Sequence, residues 1–381
     1  MGSYWLEEER PALPRVRLSG RPDAEIVGGG VTGCACALAL ASAGLAVRLH
    51  EARTIAAGAS GRNGGFALRG GAMSYDEARR QLGHAHARRL WVASEAALDR
   101  LAALAGDAFR RTGSLRLAWD ETERAALVAE YATLREDGFE TEWVDELVSP
   151  GGARFLGALL HVPNGVLHPA RWVRRLARRA AEAGAEIREG SRVEALGELE
   201  GEHVVLATDG YTRGLLPALD DAVRATRGQV LVTEPLDGLY FPRPHYSRRG
   251  YDYWQQLPDR RLVIGGRRDA SLETEWTAEE ATTPLVQERI EHLVRALLGR
   301  LPRVTHRWAG IFGTTADRLP LVGAVPGRPG LWVAAGYSGH GNVLGLAAGE
   351  LVAGAILGQP DPLLELFDPA RVLQAEPRHV A

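Results

Sequence analysis

The residues of this sequence best suited to chemistry lie in one early stretch. Gly28, Gly30 and Gly33 stand in the spacing G-x-G-x-x-G, and Glu51 follows them. The first glycine permits a tight turn, the second lets an anion approach the main chain, and the third lets a helix pack close to a strand. The apolar pair Ile26-Val27 leads in as a strand. The Ala/Leu-rich run from Val31 to Ala43 predicts a helix with Gly44 placed to cap it, and Ala46 to His50 predicts a second strand ending in Glu51. A pyrophosphate would sit on the helix N-terminus, where the N–H groups of Val31 and Thr32 and the helix dipole favour negative charge. Glu51, with Ala52 and Arg53 beside it, lies about twenty residues on, where a carboxylate binds the hydroxyls of an adenosine ribose. No arginine stands immediately before Glu51, which argues against a 2′-phosphate. The motif says dinucleotide and leaves NAD and FAD both open. The run Gly58-Ala59-Ser60-Gly61-Arg62-Asn63-Gly64-Gly65 comes next. Its small residues let a flat ring and a diphosphate press against main chain, where a plain NAD domain would normally enter another βα unit.

Elements and composition set the frame for these residues. The chain has 381 residues, enough for two domains, and 45% of them are hydrophobic, enough for a large core. A net charge of −3 argues against a nucleic-acid partner. All 45 basic residues are arginine, so no side chain can form a Schiff base. Cys34 and Cys36 sit two apart on the predicted helix, a spacing that suits neither a disulfide nor a metal pair. The histidines show no ligand spacing, and no metal is expected. The start carries an acidic run and no apolar core of signal-peptide length. No stretch approaches ~18 uninterrupted apolar residues. A cytoplasmic protein without a membrane partner, monomeric or homodimeric, is the expectation.

Along the chain, residues 1–22 read as an extended arm that Tyr4 and Trp5 anchor. The pattern is helical from Asp76 to Gly106, strand-like over Thr112 to Trp119, helical over Glu121 to Asp137 and strand-like over Phe139 to Val144. The chain turns over Asn164 to Ala170, is helical to Ala183, and reads as strand at 185–188 and again at Ser191 to Ala195. His203 to Tyr211 is a buried strand ending in small residues. Gln229 to Thr233, Tyr251 to Gln256 and Arg261 to Gly265 suggest antiparallel strands. Pro284 to Leu301 is an amphipathic helix, and Val304 to Phe312 a strand. Asp317 to Gly323, the strand 330–335, the loop Gly336-Tyr337-Ser338-Gly339-His340-Gly341 and a helix from about Val343 to Leu357 complete the pattern. The nucleotide pattern thus occurs at the start, in the middle and at the end. The reading is an α/β chain of two domains. A Rossmann-like nucleotide domain of discontinuous segments (23–75, 160–225 and 305–365) is threaded with an antiparallel-sheet substrate domain (76–159 and 226–304).

The fingerprint with Glu51, the loop GASGRNGG at 58–65, and the pair DRLPLVG (317–323) with AAGYSGHGNVLG (334–345) together resemble the FAD-dependent D-amino-acid oxidase superfamily. Within it they are most similar to the glycine/sarcosine oxidase branch and its γ-glutamylputrescine-oxidase-like amine oxidases. The resemblance runs from about residue 23 to 360 in motif order and spacing. It implies noncovalent FAD, with Gly28, Gly30 and Gly33 on the pyrophosphate and Glu51 on the ribose. Ser60, Gly61, Arg62, Asn63, Gly64 and Gly65 would lie along the pyrophosphate and flavin. Arg192 and Val193 would stand at the adenine, Val193 through its main chain. Ala207, Thr208 and Gly210 would stand at the middle strand end, and Asp317 and Arg318 beside the flavin. Gly336, Ser338, Gly339, His340, Gly341 and Asn342 would meet the pyrimidine edge, where charge on reduced flavin would meet helix N–H donors.

Departures from the family pattern refine the expectation. Covalent members use a Cys or His tether, and none stands in the second motif. Amino-acid oxidases of the branch place an arginine just after W-x-G. Here Trp308-Ala309-Gly310 is followed by Ile311 and Phe312, which tilts the substrate towards an amine. Sarcosine-oxidase-like members use a lysine towards oxygen; Arg267, Arg268 or His340 would supply that charge here. Tyr251, Tyr253 and Trp254 lie on one expected strand, where Tyr251 and Tyr253 share a face, as an aromatic wall over the flavin or as sheet core. Asp317 and Arg318 could pair with each other. The functional expectation is oxidation of a primary or secondary amine to an imine by hydride transfer to flavin N5, with O2 as reoxidant giving H2O2. His340, Tyr251, Tyr253 and Arg267 are the candidate catalytic residues. The alternatives are an amino-acid oxidase or dehydrogenase using another acceptor, a flavin hydroxylase, for which the G-D motif is missing, and a flavin-bound protein without turnover.

Overall fold

The computed structural model describes residues 2–373. The chain forms two compact units. One comprises the N-terminal residues to Glu8, Arg62–Pro169 and Arg227–Ile311; the other comprises Glu9–Gly61, Ala170–Thr226 and Phe312 onward.

The second unit is built on a six-stranded sheet. Its strands are β1 (Ala24–Val27), β2 (Val47–Glu51), β3 (Glu186–Glu189), β4 (His203–Leu206), β5 (Leu321–Ala324) and β6 (Leu331–Ala335), in the order β3-β2-β1-β4-β6-β5. All neighbours are parallel except the β5–β6 pair. The three separated nucleotide-like segments therefore lie side by side as β1, β4 and β6. Two helices follow the glycine turns, α1 (Val31–Ser42) after β1 and α2 (Gly341–Ile356) after β6.

These helices carry almost no side chain where they meet. A Cβ on Gly345 would lie 2.7 Å from Val31 Cγ1, and one on Gly349 would lie 2.4 Å from the Thr32 carbonyl oxygen and 2.8 Å from Ala35 Cβ. Residue 345 meets 31 and 32 while 349 meets 32 and 35, so the helices run in the same direction. Cys34 and Cys36 are fully buried in α1. Burial pushes both thiols up, that of Cys36 to about 12.

The first unit holds an eight-stranded sheet. Its strands run in the order 304–314, 224–235, 261–266, 252–256, 245–247, 114–117, 158–161 and 142–144. The 245–247 and 114–117 strands pair in parallel, so the expected antiparallel sheet is mixed. Its core gathers Trp254, Leu231, Ile264, Leu293 and Leu297, the last two from the helix Pro284–Leu298.

Several sequence expectations change here. The Asp76–Gly106 helix is two helices, Tyr75–Leu82 and His84–Ala105, because Gly83 takes φ +80°. Residues 191–195 form no strand, whereas the expected turn at 164–170 contains the strand Gly165–Leu167. That strand pairs with Phe66–Ala67, and the unit boundary lies at Gly61/Arg62 rather than at 75/76. Residues 304–311 belong with the eight-stranded sheet rather than with the nucleotide sheet. The N-terminal arm divides at Glu8, and Trp5 within it is buried, its indole N–H donating to the Asn63 carbonyl at 2.8 Å.

The α1–α2 contact makes a direct prediction. Gly349→Ala gains about 1 kcal/mol of helix propensity, yet forces a methyl onto backbone, a strain of about 1–3 kcal/mol or more. Net destabilisation in denaturant melts is expected. Gly197→Ala, with nothing within 4 Å of its Cβ, is expected to stay within about 0.5 kcal/mol of the parent.

Candidate functional site

The nucleotide motif is assembled within the second unit. Gly28 takes φ +116°, and a Cβ there would lie 2.5 Å from the Ala207 carbonyl oxygen at the end of β4. A Cβ on Gly33 would lie 1.9 Å from the Gly28 carbonyl oxygen, so only glycine lets α1 pack this close to β1. Gly30 is the extended N-cap of α1 and has no side chain to cap it. Instead Ser60, in the short turn Ala59–Gly61, accepts the Val31 N–H at 3.0 Å.

Glu51 closes β2. Its carboxylate accepts the Gly29 N–H at 2.8 Å and the Arg53 N–H at 2.7 Å, which fixes it at the carboxyl edge of the sheet. Ala52 links them. The Arg53 guanidinium lies over the Tyr211 ring at 5.4 Å. The chain after β3 is tied to this corner, Gly190 N–H to the Arg53 carbonyl and Ser191 N–H to the Glu51 carbonyl, each at 2.9 Å. Val193 is buried, whereas Arg192 is exposed and stands 3.7 Å from Glu194. At the end of β4, Ala207 donates to the Val27 carbonyl and Thr208 Oγ1 meets Thr212 Oγ1 at 2.7 Å.

The loop from Gly336 to His340 leads into α2. Gly336, Ser338 and Gly339 take positive φ, and His340 is the N-cap without a capping side-chain bond, so Gly341 and Asn342 open the helix. Ser338 donates its N–H to the Gly313 carbonyl and accepts the Thr315 N–H through Oγ at 3.3 Å. Tyr337 OH meets Thr32 Oγ1 at 2.8 Å, joining this loop to the first turn of α1. Burial pushes the Tyr337 phenol far above its usual range.

Sequence reasoning missed Asp209, which follows β4. Its carboxylate accepts the Gly313 N–H at 2.9 Å and the Gly336 N–H at 2.8 Å, with the Gly210 and Tyr337 amides adding to them. Ala-Thr-Asp-Gly at a buried strand end was the available signal. Asp317 has a partner that the sequence neighbourhood does not show. Asp317 pairs with Arg371 at 2.7 Å, and Arg371 also donates to the carbonyls of Leu319 and Pro320. Burial alone would raise the Asp317 carboxyl, but Arg371 and the Leu319 N–H hold it below its ordinary value. Arg318 takes φ +62°.

The other candidates lie in the first unit. Trp308 donates its indole N–H to the Arg62 carbonyl at 2.8 Å, and the Arg62 guanidinium reaches the Ala309 carbonyl and Glu280. Asn63 Oδ1 accepts the Gly65 N–H at 2.8 Å, and Gln255 Nε2 donates to the Gly64 and Gly65 carbonyls. Tyr253 packs against Gly64, where a Cβ would lie 3.0 Å from its ring, with Phe66 edge-on at 5.9 Å. Burial pushes its phenol up to about 12. Tyr251 is not on that strand. Arg248, Arg249 and Gly250 all take positive φ, so the strand starts at Asp252 and the alternation argument for a shared face fails. The Arg268 guanidinium covers the Tyr251 ring at 4.4 Å. Arg267 Nε stands 2.7 Å from the fully buried Asp252. No group of three or more His, Cys, Asp or Glu suited to a metal occurs among the described residues.

The DAO family, described as FAD dependent oxidoreductase, matches residues 23–355. The chain belongs to this DAO family. Its relatives include the probable oxidoreductase OrdL of Rhizobium meliloti (strain 1021), 29% identical over 95% of this chain and 90% of that protein. Gamma-glutamylputrescine oxidoreductase of Escherichia coli (strain K12) is 28% identical over 89% of this chain and 84% of its own length. Among solved structures, glycine oxidase from Geobacillus kaustophilus superposes with a TM-score of 0.77 over 95% of this chain and 100% of that one at 23% identity, a likeness of fold.

The DAO cofactor is FAD, and the second unit fits it. Gly28 and Gly33 stand where any Cβ would strike backbone, and Gly30 where a Cβ would crowd Ser60 Oγ at 2.9 Å. α1 and α2 open without a side-chain cap from their own N-cap residues. Glu51 is fixed at a strand end by two amides. Glycine main chain, helix N-termini and a fixed carboxylate are the kinds of group such a cofactor calls on. No helix among the described residues is long and apolar enough to cross a membrane.

Two buried groups near Tyr253 predict the pH response. His245 stacks on Trp254 at 5.3 Å, and burial pulls it from 6.5 down to about 4. The unfolded chain then takes up this proton first, so the stability His245 contributes is complete above pH 6.5 and is lost as pH falls towards 4. Burial raises Asp252 from 3.8 to about 6, ahead of the opposing Arg267 and Arg248. Its effect has the opposite sign, with stability lost as pH rises through 6. Denaturant melts from pH 7 to 4 are expected to show a shallower acid loss for His245→Gln and a steeper one for Asp252→Asn than for the parent.

Proposed function

We propose that this protein oxidises a primary or secondary amine at its C–N bond, giving an imine that water hydrolyses to a carbonyl, with O2 as final acceptor and H2O2 as product. Bound FAD would supply the two-electron acceptor for that oxidation. The main chain at Gly28–Gly33 and the Ser60 hydroxyl hold its diphosphate, Glu51 holds the ribose, and the Val193 main chain meets the adenine. The α2 N-terminus, with Gly339 to Asn342, donates to the ring's pyrimidine edge. Asn63, Gly64 and Gly65 are assigned to the cofactor through their motif. Binding is noncovalent: Cys34 and Cys36 are sealed in α1, and Asn63 and Gly64 offer no linkage. The six-stranded unit carries most of the cofactor assignments and the eight-stranded unit those for the substrate. Tyr253 supplies an aromatic face for a cationic or apolar amine, and His340 a polar group at the head of α2.

The preference for an amine over an α-amino acid is carried by the commitment of Arg267. The arginine that would receive a substrate carboxylate is paired with the buried Asp252. The position after Trp308-Ala309-Gly310 is a fully buried isoleucine, Ile311, rather than an arginine. The gamma-glutamylputrescine oxidoreductase relative supports the same reading. The glycine oxidase fold likeness and the absence of lysine favour a second reading, an amino-acid oxidoreductase with another electron acceptor.

An anaerobic screen of amines and amino acids against the FAD-loaded protein distinguishes them. Amines are expected to bleach the oxidised-flavin band near ~450 nm, and air to restore it with stoichiometric H2O2. Bleaching by α-amino acids alone would establish the second substrate class. Colour that air does not restore would establish a dehydrogenase. Colour that no donor bleaches would leave a flavin-bound protein without turnover.

A further inference from the structure

We propose that Asp209 is a positioning residue for the flavin edge of the cofactor, setting the Gly336–His340 loop and through it the head of α2. The inference rests on the FAD reading above and adds to it a residue that no motif assigns.

The carboxylate is the hub of three chain segments in the second unit. Asp209 sits directly after the β4 end at φ +46°, a conformation that L residues rarely adopt. Its Oδ1 takes the Gly336 N–H from the end of β6, and its Oδ2 takes the Gly313 N–H. The main chain closes around it only because the surrounding residues are glycine. A Cβ on Gly313 would lie 2.6 Å from Asp209 Oδ1, one on Gly210 would lie 2.8 Å from the Phe312 carbonyl carbon, and one on Gly336 would lie 2.6 Å from Thr315 Cγ2.

Several converging N–H donors demand an acceptor-only group. Burial pushes the Asp209 carboxyl up and these N–H groups pull it back down; an ionised carboxylate has lone pairs for all of them, whereas an asparagine has one carbonyl oxygen and turns an NH2 towards further N–H groups. Charge also strengthens each bond. The loop so held is short. Tyr337 follows Gly336, its hydroxyl reaches Thr32 in the first turn of α1, and the His340 N–H returns to the Tyr337 carbonyl. Asp209 therefore fixes one end of a link whose other end is the helix that carries the glycine fingerprint. Loss of the carboxylate frees Gly336 and Tyr337, and with them the direction of the α2 N–H donors.

A structural role alone and a positioning role differ in measurable ways. Asp209→Asn is compared with Arg48→Met, which removes one partner of each of the buried Glu25 and Glu186 elsewhere in the same sheet. The two are read by FAD dissociation constant, by the shape and position of the flavin absorption band, and by flavin midpoint potential. Asp209→Asn is expected to weaken FAD binding by about tenfold or more, the worth of a lost charged hydrogen bond, and to move the band and the potential. Arg48→Met is expected to lose melting temperature while its bound flavin keeps the parent spectrum and potential. Asp209→Asn that matches Arg48→Met in all three flavin readouts overturns the proposal. If Asp209→Asn does not fold, Gly336→Ala decides in its place, since its methyl displaces the loop from the carboxylate. A parent-like flavin band there overturns the proposal equally. A parent protein that binds no FAD at all refutes the functional reading instead, and that result is read before any variant is made.

Discussion

The nucleotide unit depends on a close contact between two helices that have little side chain at their interface. Gly345 and Gly349 of α2 lie against Val31, Thr32 and Ala35 of α1, so one backbone rests almost on the other. Interiors are packed densely enough that even one added methylene is felt there. Because the helices run the same way, this contact brings both N-termini to one end, where the sheet strands also finish. Two helix N-termini are thereby held at a fixed separation without a long side chain between them. The Thr32–Tyr337 hydroxyl pair locks the register at that end.

Much of this was legible in the sequence because its physics is local. The fingerprint glycines are demanded by contacts within a few residues of themselves or by the adjacent strand. The three nucleotide-like segments could be recognised separately, and the sheet order β1-β4-β6 explains why each ends in small residues. Helix and strand periods were likewise local, and errors came where positive-φ residues overrode the period. Gly83 splits one helix into two, and three consecutive positive-φ residues delay a strand past Tyr251.

What was not legible depends on partners distant in sequence. Asp317 takes Arg371, 54 residues on, whose planar fork also satisfies two carbonyls. Arg267 followed a glycine pair, and nothing near it in sequence announced that its Nε would stand 2.7 Å from the buried Asp252. Arg227 is buried against Glu275 in a two-pronged pair at 2.9 Å, and nothing near either residue announces it. In a chain whose only long cation is arginine, basic residues serve as internal cross-ties as readily as they serve the surface. Asp209 was passed over for the related reason that its donors come from residues 313 and 336.

The burial of Cys34 and Cys36 bears on chemical durability. Oxidants attack the thiolate, and susceptibility follows thiolate character and access. Both sulfurs are shut inside α1, and burial keeps them protonated well beyond neutral pH. A protein that releases peroxide beside its own cofactor would thus carry its two sulfhydryls in a form that peroxide attacks only slowly, and repeated turnover would not convert the fingerprint helix to sulfenic or sulfinic acid.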